Sequence, residues 1–173
     1  MALSQSTTVM SMKAQAQCTD EGGFIGEFCN EAQSPVLGGA DVVAYRSLHQ
    51  GARAVQGKPD IVAEWNSFRF WFSSVKNRDA FMQAPETYAP LLGGFCPFAL
   101  TGSDAKMPQR SLSVKDLKAM GVDPDQWLIN DDRLLVFRGR EALRLFGRDF
   151  AANMEQASQN WESWIAAPKC SSD

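Results

Sequence analysis

The chain has 173 residues, 45% of them hydrophobic, with 11 Phe and 5 Trp, which is enough to bury one core and points to a single globular unit with extensions. Its 17 basic and 20 acidic residues are interspersed and leave a formal net charge of -3, so there is no field for holding DNA, RNA or an anionic membrane. No run of about 18 apolar residues occurs, and no transmembrane span is expected.

Residues 1–17 are small, polar and rich in Ser, Thr and Gln, and read as a disordered or processed leader. Ala14-Gln15-Ala16 has the small-x-small form of a secretory cleavage site, whereas Leu3 to Met12 lacks the continuous apolar stretch of a signal. A signal further upstream and a chance match are both open. Residues 18–170 read as one domain. After the Gly38-Gly39 turn, Val42 to Arg46 is β-branched and aromatic and predicts a first strand. Leu48 to Gln56 is a polar connection with His49 at its middle. Ile61–Trp65 and Phe68–Phe72 flank Asn66-Ser67 as a hairpin, and the alternation of Phe68, Phe70 and Phe72 predicts one core face.

Ser73 or Ser74 can cap a helix from Val75 to Ala84 that Pro85 closes. A short turn over Glu86–Tyr88 then leads into Gly93-Gly94-Phe95-Cys96-Pro97. Ser103 to Gln109 reads as loop, and Ser113 with Asp116 forms a capping box for a helix to Met120, ended by Gly121. Trp127–Asn130 and Leu134–Arg138 predict a second hairpin across Asp131-Asp132. Glu141–Phe146 is a short amphipathic helix, and Gly147 allows a break before a longer helix with a core stripe of Phe150, Met154, Ala157, Trp161 and Trp164. No internal repeat is visible, and there is no low-complexity tract beyond the leader.

The cysteines are Cys18, Cys29, Cys96 and Cys170. None shows C-x-x-C spacing and His49 is the only histidine, so neither a tetrahedral zinc site nor a thioredoxin-like dithiol has a local signature. Two disulfides are the favoured reading, with three connectivities open; bridges from Cys18 and Cys170 would tie the tails to the core. Four unpaired thiols in a cytosolic protein is the other reading. Disulfides place the chain in a secreted, lumenal or periplasmic setting.

Gly39-Ala40-Asp41-Val42-Val43-Ala44-Tyr45, Gly51 with Ala54-Val55-Gln56-Gly57, Trp65-Asn66, Phe70-Trp71-Phe72-Ser73-Ser74, Asn77, Phe81, Pro85 to Pro90 and Gly93-Gly94-Phe95-Cys96 occur in that order over residues 37–100. In these residues the chain resembles the YHS domain family, in its exported stand-alone branch. Asp125-Gln126-Trp127 through Leu135-Val136-Phe137 to Asn160-Trp161 is similar to that branch's trailing hairpin and helices. The resemblance implies an α+β fold: a small antiparallel hairpin sheet with packed helices, a treble-clef-related YHS-like core over 37–100 and a C-terminal extension over 101–170 carrying the second hairpin and helices. Many YHS modules are attached to metal-transporting pumps, which implies copper or another transition metal. Where such relatives carry cysteine ligands, this chain has Ala44, Ser73 and Asn77, and a soft-metal site without its thiolates loses its chemical basis.

Cys96 is the first candidate: a soft ligand, a redox thiol, or half of a disulfide or a buried hydrophobe. Asp41 beside Tyr45 would supply an oxygen ligand or an acid-base group, or bond backbone amides of its turn. His49 would complete a metal set with Cys96 and Asp41, or stand solvated in its loop. Met10-Ser11-Met12 suits monovalent copper but has no scaffold. Trp65, Phe70, Trp71 and Phe95 would line a small-molecule pocket or simply form core. Catalysis lacks a nucleophile elbow, a phosphate loop and a metalloprotease helix, and the spacing of Asp41, Glu64 and Glu86 does not pair them. The expected function is thus a secreted or lumenal, non-enzymatic module binding a metal ion or small ligand near Asp41, Tyr45 and Cys96. Its alternatives are a thiol redox protein or sensor centred on Cys96 and a self-associating homo-oligomeric interaction module.

Overall fold

The computed structural model describes residues 35–66, 68–102 and 121–166, the last three of these without their side chains. The expected leader, Cys18, Cys29, Cys170, the loop over 103–109, the helix over 113–120 and the Trp164 side chain lie outside the described residues. Among the described residues the fold is mixed α+β, with two separate two-stranded antiparallel sheets and five α-helices. None of these helices is long and apolar enough to cross a membrane.

Pro35 fixes an extended entry into a 3₁₀ turn, Val36–Gly39, in which Leu37 and Gly38 both take left-handed angles (φ 52° and 63°). The strand expected over Val42–Arg46 does not form; a turn and a 3₁₀ helix, Ala44–Ser47, stand there instead. The reason is local: Asp41 Oδ1 accepts the amides of Val43 at 3.0 Å and Ala44 at 3.1 Å, donors that a strand would give to a neighbour. Side-chain capping of this kind overrides the β-propensity of Val-Val.

Strands β1 (Lys58–Trp65) and β2 (Phe68–Phe72) pair in the expected hairpin, with β1 beginning earlier than its apolar run because a bulge lies between Lys58 and Val62. Phe68, Phe70 and Phe72 are buried, as their alternation requires. Helix α1 (Val75–Gln83) is capped by Ser74, whose Oγ accepts the Asn77 amide at 3.2 Å, and a short helix α2 (Pro85–Tyr88) follows with proline at its start. Phe81 of α1 packs on Phe70, Phe72 and Trp65, with ring centroids 4.6, 5.2 and 6.3 Å away. Pro90 then enters a second 3₁₀ turn, Leu91–Gly94, and a one-turn helix α3 (Pro97–Leu100).

The second hairpin joins β3 (Asp123–Asn130) to β4 (Arg133–Phe137), followed by α4 (Arg140–Gly147) and α5 (Phe150–Ala166). Phe146 bridges Phe137 and Phe150, with centroids 5.4 Å from each. Ala157 and Trp161 of α5 are buried, and Trp161 meets Phe95 at 5.9 Å. One continuous apolar cluster runs from Val36 to Trp161 through both hairpins. The two halves are thus welded by a shared core, whose loss on unfolding is the main term resisting separation.

Candidate functional site

The Asp41 side chain lies at 0% exposure at the junction of the first turn, β2 and α1. The amides of Val43 and Ala44 hold Oδ1, while Oδ2 accepts the Ser73 amide at 2.7 Å, the Ser73 hydroxyl at 2.6 Å and the Asn77 side-chain amide at 2.7 Å. Both carboxylate oxygens are therefore committed. Asn77 Nδ2 also approaches Ser73 Oγ at 3.3 Å, so the three polar side chains form one closed knot. A buried carboxylate is tolerated only with donors of this number and geometry.

The backbone carries this arrangement in place. Asp41 donates its own amide to Val55 at 2.8 Å, the Gly57 amide reaches Gly39 at 2.8 Å, and Ala40 bridges Gln56. A Cβ on Gly57 would lie 2.5 Å from the Trp71 carbonyl carbon, and one on Gly39 2.5 Å from the Trp71 ring, so glycine is what lets the turn close against β2.

Tyr45 is also interior, at 1% exposure. Its hydroxyl donates to the Pro124 carbonyl at 2.9 Å and its ring meets Trp127 edge-on at 5.2 Å. Trp127 Nε1 donates to Ala52 at 2.8 Å, Gln50 Nε2 donates to the Trp127 carbonyl at 2.6 Å, and Asp125 accepts the Ala54 amide at 2.8 Å. Residues 45–54 are thereby laced onto β3. Burial pushes the Tyr45 phenol well above its ordinary pKa, and the carboxylates of Asp125, Asp123 and Asp41 push the same way.

Cys96 is buried and has no bridging partner among the described residues; the three other cysteines lie outside them. Burial raises its pKa, opposed by the backbone amides of Arg138, Ala99 and Phe98 and by the Arg138 guanidinium, all of which favour the thiolate. His49 stands exposed with Nδ1 3.2 Å from the Gln50 carbonyl. Among the described residues no group of three or more His, Cys, Asp or Glu is disposed to hold a metal ion.

The sequence candidates thus occupy different surroundings. Asp41 and Tyr45 are packed into the same half of the core, Cys96 sits in a separate turn, and His49 lies on the surface. Of the aromatic candidates, Phe70 and Phe95 are buried and Trp65 and Trp71 are half-buried, with Trp65 and Phe70 packed on Phe81. Ala44, Ser73 and Asn77, singled out in the sequence as positions without thiolates, all meet at Asp41. Ala44 offers only its amide there, and Ser73 and Asn77 are donors to a carboxylate, so this donor set does not fit a soft metal. Sequence reasoning placed Asp41 in a backbone turn but missed Ser73 and Asn77 as its side-chain partners; their four-residue spacing across the start of α1 is the signal that was there to use. The chain matches no family model, no curated protein and no solved structure.

Proposed function

We propose that this chain is a non-enzymatic binding module of the YHS type that works outside the cytosol and takes up a small ligand or metal ion. The observation that carries the reading is the commitment of both Asp41 oxygens to five donors in a fully buried position. A general base or metal ligand must have a free lone pair facing its substrate, and Asp41 keeps none. Tyr45, the other acid-base candidate, points its hydroxyl at a backbone carbonyl, where it ties the two halves together. The polar groups of Asp41 and Tyr45 therefore serve the scaffold, which leaves Cys96 as the remaining candidate of the three.

Calorimetric titration of chelator-treated protein with copper, zinc and nickel tests the metal form. Heat with one of the three, lost in Cys96→Ser, supports uptake at the thiol; no heat with any of them removes the metal form and leaves a small organic ligand. A second reading, a thiol redox protein, has one observation in its favour: three backbone amides and a guanidinium face the Cys96 sulfur and favour its thiolate. Burial acts in the opposite direction, and the labelling rate of Cys96 separates the two readings.

A further inference from the structure

The two hairpins have the same register. Lys58 pairs with Phe72, and after a bulge Val62, Ala63, Glu64 and Trp65 pair with Trp71, Phe70, Arg69 and Phe68. Asp123 pairs with Phe137, and after a bulge Trp127, Leu128, Ile129 and Asn130 pair with Val136, Leu135, Leu134 and Arg133. Every position is displaced by the same interval, Lys58 to Asp123, that is 123 − 58 = 65. The interval continues into the helices: α1 starts at Val75 and α4 at Arg140, and the Phe72–Phe81 contact at 5.2 Å recurs as Phe137–Phe146 at 5.4 Å.

The turns before them match as well, at the interval Leu37 to Leu92, 92 − 37 = 55. Leu37 and Gly38 have φ of 52° and 63°; Leu92 and Gly93 have 51° and 63°. A leucine in the left-handed region is costly, about 1–2 kcal/mol, and finding it twice before a left-handed glycine pair, each time after an extended proline, is not a generic turn. Pro35-x-Leu37-Gly38-Gly39 and Pro90-x-Leu92-Gly93-Gly94 are its sequence trace. In the hairpins the trace is thinner: Pro59-Asp60 with Pro124-Asp125, Phe72 with Phe137 and Phe81 with Phe146.

Asp41 and Cys96 are separated by this same 55. Asp41 receives the amides of Val43, Ala44 and Ser73; the backbone amides that favour the Cys96 thiolate are those of Phe98, Ala99 and Arg138. Val43 and Ala44 lie 55 before Phe98 and Ala99, and Ser73 lies 65 before Arg138, so each amide acting on the Cys96 thiol is the counterpart of a donor to Asp41. What differs are the side-chain donors: Ser73 is matched by Arg138 and Asn77 by the buried Ala142.

We infer that residues 35–83 and 90–147 are two copies of one half-module, and that the amide pocket around Cys96 is the second copy of the pocket that holds the Asp41 carboxylate. In the second copy the residue is a thiol and the counterpart of Asn77, Ala142, has no polar group, a self-consistent exchange of a strong acceptor and its amide partner for a weak acceptor and none. The chain between turn and hairpin is ten residues longer in the second copy, 101–122 against 46–57, which is why the offset rises from 55 to 65. A division at residue 100, as the family resemblance suggests, cuts through the second copy.

Equivalence of the pockets predicts a sign reversal. In the full chain, Ala142→Asn should lower the urea midpoint of the natural protein, where a buried amide would face a thiol, and raise it in the Cys96→Asp background, where it regains the partner that Asn77 gives Asp41. A shift of the same sign in both backgrounds overturns the inference. If Cys96→Asp alone shows no cooperative transition, recovery of one on adding Ala142→Asn supports the inference and failure to recover overturns it. The mirror pair repeats the test in the first copy: Asn77→Ala should lower the midpoint of the natural protein and raise that of Asp41→Cys.

Discussion

Asn77 donates its side-chain amide to Asp41 Oδ2 at 2.7 Å, across the 36 residues that separate the first turn from α1. Two elements far apart in the chain are thus joined by a part-buried polar contact and not by apolar packing alone. Removing the acceptor leaves several buried donors without a partner, whereas removing one donor leaves the carboxylate with the rest. Asp41→Ala should therefore cost about 3 kcal/mol or more and Asn77→Ala about 1–2 kcal/mol, read as urea midpoints at constant m-value. Equal losses in the two variants would mean that Asp41 is not the centre of the knot.

The hairpins, the cap at Ser74 and the break at Gly147 were legible in the sequence because each depends on local chemistry: alternation in Phe68–Phe72, a hydroxyl one residue before α1, a glycine between two apolar stripes. Val42–Arg46 was misread because its propensity is overruled by the Asp41 side chain acting on the next amides. The Asp41 knot was only half legible, since Ser73 and Asn77 reach it through tertiary geometry. The repeat was hidden by two offsets, 55 and 65, and by buried positions where Phe70 is matched by Leu135 and Trp71 by Val136, equivalent as packing but not as letters.

Two glycines in the first copy should respond differently to the same methyl group. At Gly57 a Cβ would come within 2.6 Å of Trp71 backbone atoms, which cannot swing aside, so Gly57→Ala should cost about 1–3 kcal/mol and disturb the Trp71 fluorescence. At Gly38 the same methyl meets nothing within 4 Å, and only the left-handed backbone, φ +63°, resists it. Gly38→Ala should cost about 1 kcal/mol with unchanged Trp emission, and Gly38→Asn less, since Asn tolerates that region. A larger loss at Gly38 than at Gly57 would contradict the close approach.

Cys96 should be nearly inert in the native protein. At 3% exposure and with burial raising its pKa, it presents neither access nor thiolate to an electrophile. Mass mapping after maleimide treatment should find Cys96 unmodified under native conditions at neutral pH and fully modified in denaturant. Modification of native Cys96 on the timescale of a free thiol would instead favour the redox reading over the binding module.

Tyr45 makes the two-half packing sensitive to alkali. Its folded pKa lies above the unfolded value of about 10, so above that pH the unfolded chain loses the phenolic proton while the folded one keeps it. The unfolded state then binds fewer protons, and stability falls as pH rises; below about pH 9 the full contribution is present. Cys96, whose pKa is also raised, acts with the same sign from about pH 8.5 upward. Tyr45→Phe should lose about 1 kcal/mol at pH 7, the hydrogen bond to Pro124, yet show a shallower decline of the urea midpoint between about pH 10 and 11.5 than the natural protein. In the natural protein the phenolate absorbance of Tyr45, obtained as the difference from Tyr45→Phe, should appear together with the loss of near-ultraviolet ellipticity. A Tyr45 signal titrating near pH 10 in protein that is still folded would show that the ring is not sealed between Pro124 and Trp127.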